Sequence, residues 1–191
     1  MTAPEASLQP ADSDLIERAR NREQAAFGVL MQRHYERTFR LVYSIVRHEA
    51  DARDVCQEVW LTVWQQLADF RGEARFTTWL HTITVRRALD HLRKRRRWFD
   101  RFLSFSSTGE QEFAAPDVTV TDVAKGDERI ALTRKAIDSL PAKHRAVLAL
   151  RELEGLSYEE IAAAMKIPAG TVMSRIYHAR RLLAKKLGAK L

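Results

Sequence analysis

Residues 157–183 read SYEEIAAAMKIPAGTVMSRIYHARRLL, and this stretch decides the fold. Ser157 and Glu160 stand three apart just ahead of an apolar run. That is the spacing of a capping box, and it predicts a short helix over Tyr158 to Met165. Lys166-Ile167-Pro168-Ala169-Gly170 then form a turn, since Pro fixes its own φ and Gly accepts almost any. Thr171 is expected to cap a last helix running to about Leu187. In that helix Val172, Ile176, Ala179 and Leu183 form one apolar seam. Met173, Ser174, Tyr177, His178 and Arg181 fall on the opposite side, at about 100° per residue. Two short helices joined by a tight turn, the second one basic, describe a helix-turn-helix whose second helix can read base edges in a major groove. Arg180, Lys185 and Lys186, further along, suit phosphate contacts.

Upstream of this unit, Ser139-Leu140-Pro141 starts another helix that runs to about Leu153 and is followed by Gly155. Before that lies a stretch without helical periodicity, carrying Ser106-Ser107-Thr108-Gly109, Pro116 and Gly126. It is also acidic. From Ser104 to Glu128 the net charge is −5, whereas Arg86 to Arg101 carries +6 and Ser174 to Leu191 carries +6. A basic, acidic, basic order marks the middle block as a linker between two domains.

The N-terminal half is helical too. Phe27, Leu30, Met31, Tyr35, Phe39, Val42 and Val46 follow spacings of three and four, as one buried stripe does. Asp51 to Phe70 gives a second helix with Val55, Val59, Val63 and Leu67 on one side. Gly72 interrupts the pattern, and a third helix starts near Thr77 or Thr78 and runs into the arginine block. No strand alternation and no repeat are evident. The expected fold is all-α: a flexible tail over 1–11, a helical domain over 12–96, a linker over 97–128 and a second helical domain over 129–191.

Two quoted regions join the helix-turn-helix in a recognisable order. Leu140-Pro141, Arg151-Glu152-Leu153-Glu154-Gly155-Leu156-Ser157-Tyr158-Glu159-Glu160-Ile161-Ala162 and Gly170-Thr171-Val172-Met173-Ser174-Arg175 resemble the C-terminal domain of extracytoplasmic-function sigma factors of the sigma-70 family. Asp51-Ala52-Arg53-Asp54-Val55-Cys56-Gln57-Glu58-Val59-Trp60 resembles that family's segment gripping the polymerase β′ clamp helices. Phe70-Arg71-Gly72-Glu73-Ala74-Arg75-Phe76-Thr77-Thr78-Trp79-Leu80 resembles its loop that captures unpaired −10 bases. The resemblance implies an alternative sigma factor, a non-enzymatic subunit that binds core RNA polymerase through the β′ clamp and β flap and directs initiation at promoter DNA under an anti-sigma factor.

Carried onto this chain, the resemblance implies core-polymerase contacts by Asp54, Gln57 and Glu58, which share a flank away from the valine stripe. It implies −10 contacts by Arg71, Arg75, Phe76, Arg86, Asp90 and Arg93. It implies −35 contacts by Thr171, Met173, Ser174, Arg175, Tyr177, His178 and Arg181. Trp79 is expected in the core. Arg86 stands where the family often has Asn, and Met173 and His178 where some members have Arg, so the base preferences of such relatives are not carried over to this chain. Arg93-Lys94-Arg95-Arg96-Arg97 is expected to meet phosphates, and the acidic linker to thread polymerase channels that otherwise hold nucleic acid.

Several classes are excluded by what the sequence offers. His34, His48, His81, His91, His144 and His178 show no metal-ligand spacing, and with the single Cys56 no metal site is expected. No cofactor motif and no catalytic pair of carboxylates appears, so no enzyme is expected. A one-domain regulator would need a sensor-like α/β pattern, which the sequence lacks. One thiol cannot pair internally, which suits a reducing cytoplasm, and Cys56 is expected to be a small semi-buried packing residue. No run of 18 apolar residues exists, so no membrane insertion is expected.

Overall fold

The computed structural model describes residues 11–105 and 128–188. Most of the expected tail and linker therefore lies outside the described residues. The described chain is helical throughout, with no strand among those residues. The first domain holds α1 (Asp12–Arg20), α2 (Gln24–Val46), α3 (Glu49–Gln66), a 3-10 turn (Leu67–Asp69) and α4 (Phe76–Phe105). The second holds α5 (Glu128–Asp138), α6 (Ala142–Glu152), α7 (Tyr158–Met165) and α8 (Ala169–Leu187). The helix α4 continues past the arginine block into the segment expected as linker.

The valine stripe of α3 is fully buried: Val55, Val59 and Val63 lie in the core that α3 shares with α2 and α4, and Leu67 in the 3-10 turn is buried with them. The α2 stripe is more mixed than its apolar spacing suggests. Leu30, Leu41, Val42, Ile45 and Val46 are buried, whereas Phe27, Met31, Tyr35 and Phe39 are half-buried. In their stead His34 and Thr38 go inside, because both find partners there. The His34 Nε2 lies 2.8 Å from an Asp12 oxygen, and the Thr38 hydroxyl donates to the His34 carbonyl. That Asp12 contact, with a second from Arg33, pins α1 onto α2. Burial pushes the Asp12 carboxyl up, but the hydrogen bonds and charges of Arg33 and His34 prevail and hold it below its usual value.

Helix boundaries follow capping chemistry. Arg47 ends α2 in a left-handed conformation at φ 65°, and His48 caps α3 by accepting the Asp51 amide. Both halves of the Ser157–Glu160 capping box are present, at 2.8 and 3.1 Å. The α7 C-terminus closes with Lys166 at φ 53° and the Ile167 amide on the Ala162 carbonyl, a Schellman pairing. The last helix starts earlier than its Thr171 suggests. The Pro168 carbonyl already accepts the Thr171 and Val172 amides, so Pro168 is the N-cap, Ala169 opens the helix, and Thr171 lies inside its first turn. Likewise α4 starts at Phe76, one residue ahead of the threonines.

The two domains pack face to face, α2 and α4 against α6 and α7. One apolar cluster runs from Leu15 in α1 to Ile176 in α8. Polar contacts cross the same face. Arg37 on α2 pairs with Glu154, which lies between α6 and α7, and Arg47 pairs with Asp138 at the end of α5. The Arg145 guanidinium of α6 donates to the Ile45 carbonyl of α2 at 2.9 Å and also to the Asp138 and Leu140 carbonyls.

Candidate functional site

Three exposed surfaces stand on this scaffold, each set by a buried seam that fixes how its helix is turned. On α3 the buried valines push Asp54, Gln57 and Glu58 into solvent on one flank. Leu61 extends that flank by one turn and is 58% exposed, a large apolar side chain beside carboxylates. Sequence reading passed over it, although its position seven residues beyond Asp54, off the valine stripe, was the signal. Cys56 lies on the inner side and is fully buried rather than semi-buried. Burial, with a further push from the Glu36 charge, raises its thiol to about 12, so it stays protonated and unreactive.

The second surface begins at the loop before α4. A groove of about 540 Å³ opens between α1 and residues 70–77. Its walls include Ser13, Glu17 and Arg20 of α1, which the sequence did not single out, and Arg71, Arg75 and Phe76. Arg71 and Arg75 are exposed and Gly72 takes φ +76°, a conformation that lets the loop turn back sharply. Phe76 is not an open stacking platform. It is buried, with its ring 5.4 Å from His34, 6.0 Å from Phe70 and 5.9 Å from Trp79, and so forms part of the groove floor. Trp79 is half-buried in the same aromatic cluster, as a packing residue would be. The reason is positional: the first residue of α4 sits over the α1–α2 contact, and a large ring there fills core.

Along α4, Arg86, Asp90 and Arg93 share one face at helical spacing. Asp90 pairs with Arg93 and lies 3.9 Å from Arg86, so its carboxylate partly offsets the charge of two guanidinium groups. By helix geometry this face starts about 15 Å from the loop and continues for about 10 Å more. Beyond it Arg93 to Arg97 form an exposed basic run.

The third surface is α8. Val172, Ile176 and Ala179 are buried, and Leu183 is half-buried. Opposite them Met173, Ser174, Tyr177, His178 and Arg181 are exposed, Met173 at 51% and Tyr177 at 58%. Arg175 is half-buried at the flank, and Thr171 lies in the first turn. Arg180 pairs with Glu152 at 2.6 Å, which ties α8 to the end of α6. His144 on α6 has its basicity lowered, first by burial and then by the charges of Arg175 and His178.

Family models match both domains. The sigma-70 region 2 model covers residues 30–98 and the sigma-70 region 4 model covers residues 130–183. The chain is 36% identical to the RNA polymerase sigma-H factor of Pseudomonas aeruginosa over 186 residues, covering 94% of this chain and 95% of that one. It is also 36% identical over 189 residues to the ECF RNA polymerase sigma-E factor of Escherichia coli, covering 95% and 96%. This chain belongs to the extracytoplasmic-function sigma factors.

Among solved structures, the sigma factor CnrH in complex with the cytosolic domain of CnrY matches at TM-score 0.64 and 25% identity, covering 95% of this sigma factor and all of that chain. The Bartonella quintana sigma factor RpoE in complex with the anti-sigma factor NepR shares the fold at TM-score 0.67 and 24% identity, covering 86% of this chain and 98% of that one. The acidic flank and the loop wall of the groove thus fall in this sigma factor's region 2, and the exposed face of α8 in its region 4. None of its described helices is long and apolar enough to cross a membrane.

Proposed function

We propose that this chain directs core RNA polymerase to promoters whose −10 element is met by the first domain and whose −35 element is met by the second. The observation that carries the reading is the pairing of opposite surfaces on one chain: an acidic flank on α3, and basic faces on α4 and α8. An acidic flank repels DNA, so it serves a protein partner, and the β′ clamp helices fit Asp54, Gln57 and Glu58, with Leu61 adding apolar contact. Arg71 and Arg75 at the groove mouth suit the phosphates of melted DNA, with Phe76 in the floor beneath a captured base. Arg86 and Arg93, on either side of Asp90, continue that track.

In the second domain Ser174, Tyr177, His178 and Arg181 face the major groove, with Met173 at the edge and Thr171 and Arg175 nearer the phosphates. The β flap is a second polymerase contact by family resemblance. The relatives solved with NepR and CnrY support control of this chain by an anti-sigma factor. The work of such a protein lies in the cytoplasm, where polymerase is, and it is regulation rather than catalysis.

The test compares DNA binding with and without polymerase. The purified chain alone should bind duplex promoter DNA weakly, and core polymerase should confer sequence-dependent binding. Tight, sequence-specific binding by the chain alone, unaffected by core enzyme, would mark a repressor instead.

A further inference from the structure

Glu154 is a carboxylate for which its own domain has no partner among the described residues. It lies just before Gly155 in the connection from α6 to α7, and its side chain is only 3% exposed. Both groups that contact it belong to the other domain. Arg37 of α2 donates its Nε–H to Oε2, and His81 Nε2 of α4 lies 3.0 Å from the same oxygen. His81 is itself buried, and its Nδ1 has no hydrogen-bond partner among the described residues. Burial alone would raise the Glu154 carboxyl, but His81 and Arg37 outweigh it and hold the group below its usual range, so it is ionised in place.

We propose that Glu154, clasped by Arg37 and His81, is a latch that holds the free chain closed, with its two domains face to face, and that promoter binding requires its release. The second half rests on the function proposed above. The two promoter elements differ by 25 positions in their names, about 85 Å of duplex at about 3.4 Å per base pair. A compact chain of this length has a radius of gyration of about 16 Å, hence a diameter of about 45 Å. The closed chain cannot reach both elements at once. The α3 flank and the α8 face stay exposed in the closed form, so closure acts through distance and not by covering them.

The chemistry of the contact suits a joint that opens. The apolar part of the interface supplies adhesion between α2, α4, α6 and α7. The Glu154–Arg37 pair, with His81 against the same oxygen, supplies a fixed geometry at little net gain, because a buried ion pair roughly repays the cost of leaving water. On opening, Glu154, Arg37 and His81 all regain solvent, and the orphaned His81 Nδ1 gains a partner. Removing one member in the closed form is a different matter, since it strands the others without compensation. The Arg47–Asp138 pair and the Arg145 bond to the Ile45 carbonyl hold the same face farther along α2.

Small-angle scattering on the full chain tests the latch without polymerase. Wild type should scatter as a closed particle. Glu154→Gln and Arg37→Met should each raise the radius of gyration by about 3 Å or more, at unchanged helicity by circular dichroism. Glu152→Gln, two residues away and paired with Arg180 inside its own domain, should leave the closed form intact. If Glu154→Gln misfolds, Arg37→Met decides, because the Arg37 side chain is half-exposed and its loss opens no cavity. Two latch variants that scatter like wild type would overturn the proposal, and so would a Glu152 variant that opens as far as they do.

Affinity for core polymerase then tests the release step. A closed population lowers apparent affinity, so Glu154→Gln should bind core enzyme about three- to tenfold more tightly than wild type. An opened variant with unchanged affinity would overturn release as a requirement. If neither protein binds polymerase, the proposed function fails, while scattering still decides the latch.

Discussion

Helices α3 and α8 are built alike and finished differently. Each buries one apolar seam and turns a polar face outward. The difference begins at their N-termini. The first turn of α3 carries Glu49 and Asp51 and is capped by His48, all of which favour the positive end of the helix dipole. The first turn of α8 carries no acid and no side-chain cap, and starts from Pro168. Its neighbour α7 has a complete capping box and two acids in its first turn, whereas α6 starts from Pro141 with neither. A helix end that approaches DNA phosphates gains from a bare positive dipole and loses from an acid that would repel them. The comparison teaches that α3 is stabilised at its own N-terminus, whereas α8 leaves there a bare positive dipole that suits the DNA contact proposed for it.

The seams are what the two helices share, and breaking one should have the largest effect. Ile176→Ala removes a buried side chain from the α8 seam and should cost about 2–5 kcal/mol, read by denaturant unfolding. All −35 recognition should go with it, whatever the base sequence. A loss below about 1 kcal/mol would mean that the seam is looser than its burial indicates.

Charge on the α3 flank comes next. Reversing Asp54 and Glu58 to Lys together should weaken core-polymerase binding by about 2–4 kcal/mol while helicity stays as it was. Pull-down titration with core enzyme reads it. Equal affinity of variant and wild type would remove the flank from the polymerase contact.

On α8, His178→Ala should cost about 1–3 kcal/mol and relax preference at one or two base pairs, since the seam beneath it is untouched. Neutralising Lys185 and Lys186 should instead weaken binding to all sequences and lower the salt slope by about two. Promoter selection with holoenzyme at two salt concentrations separates them. An even loss from the histidine variant, with altered base preference from the lysine variant, would reverse the assignment.

The smallest effect tests the bare N-terminus directly. Thr171→Asp places an acid in the first turn of α8. It should stabilise the domain by about 0.3–1 kcal/mol in thermal unfolding and yet weaken −35 binding. If stability and DNA binding rise together, the dipole argument for α8 fails.

Much of this was legible in the sequence because it depends on neighbours. The Ser157–Glu160 box, the valine stripe of α3 and the α8 seam are all set within one or two helical turns, and each lies where its spacing places it. The parts that were missed depend on distant partners. Helices α1 and α5 are only 9 and 11 residues long, too short for a stripe to stand out. His34 and Thr38 enter the core because Asp12 and a backbone carbonyl satisfy them, which apolar spacing cannot register. The burial of Phe76 was not legible either, because it depends on His34 and the α1–α2 contact beneath the ring, which makes it the floor of the groove. Glu154 was one letter of a helix-turn-helix motif, and its Arg37 partner is 117 residues away.

The central claim is that this chain gives core polymerase its choice of promoters. Run-off transcription with core enzyme and this protein, on a library of genomic fragments, tests it most directly. The account predicts discrete transcripts from a small set of fragments that share a −10 and a −35 element at fixed spacing, absent without the protein and lost with the Asp54/Glu58 reversal. Transcripts unchanged by adding the protein would contradict it.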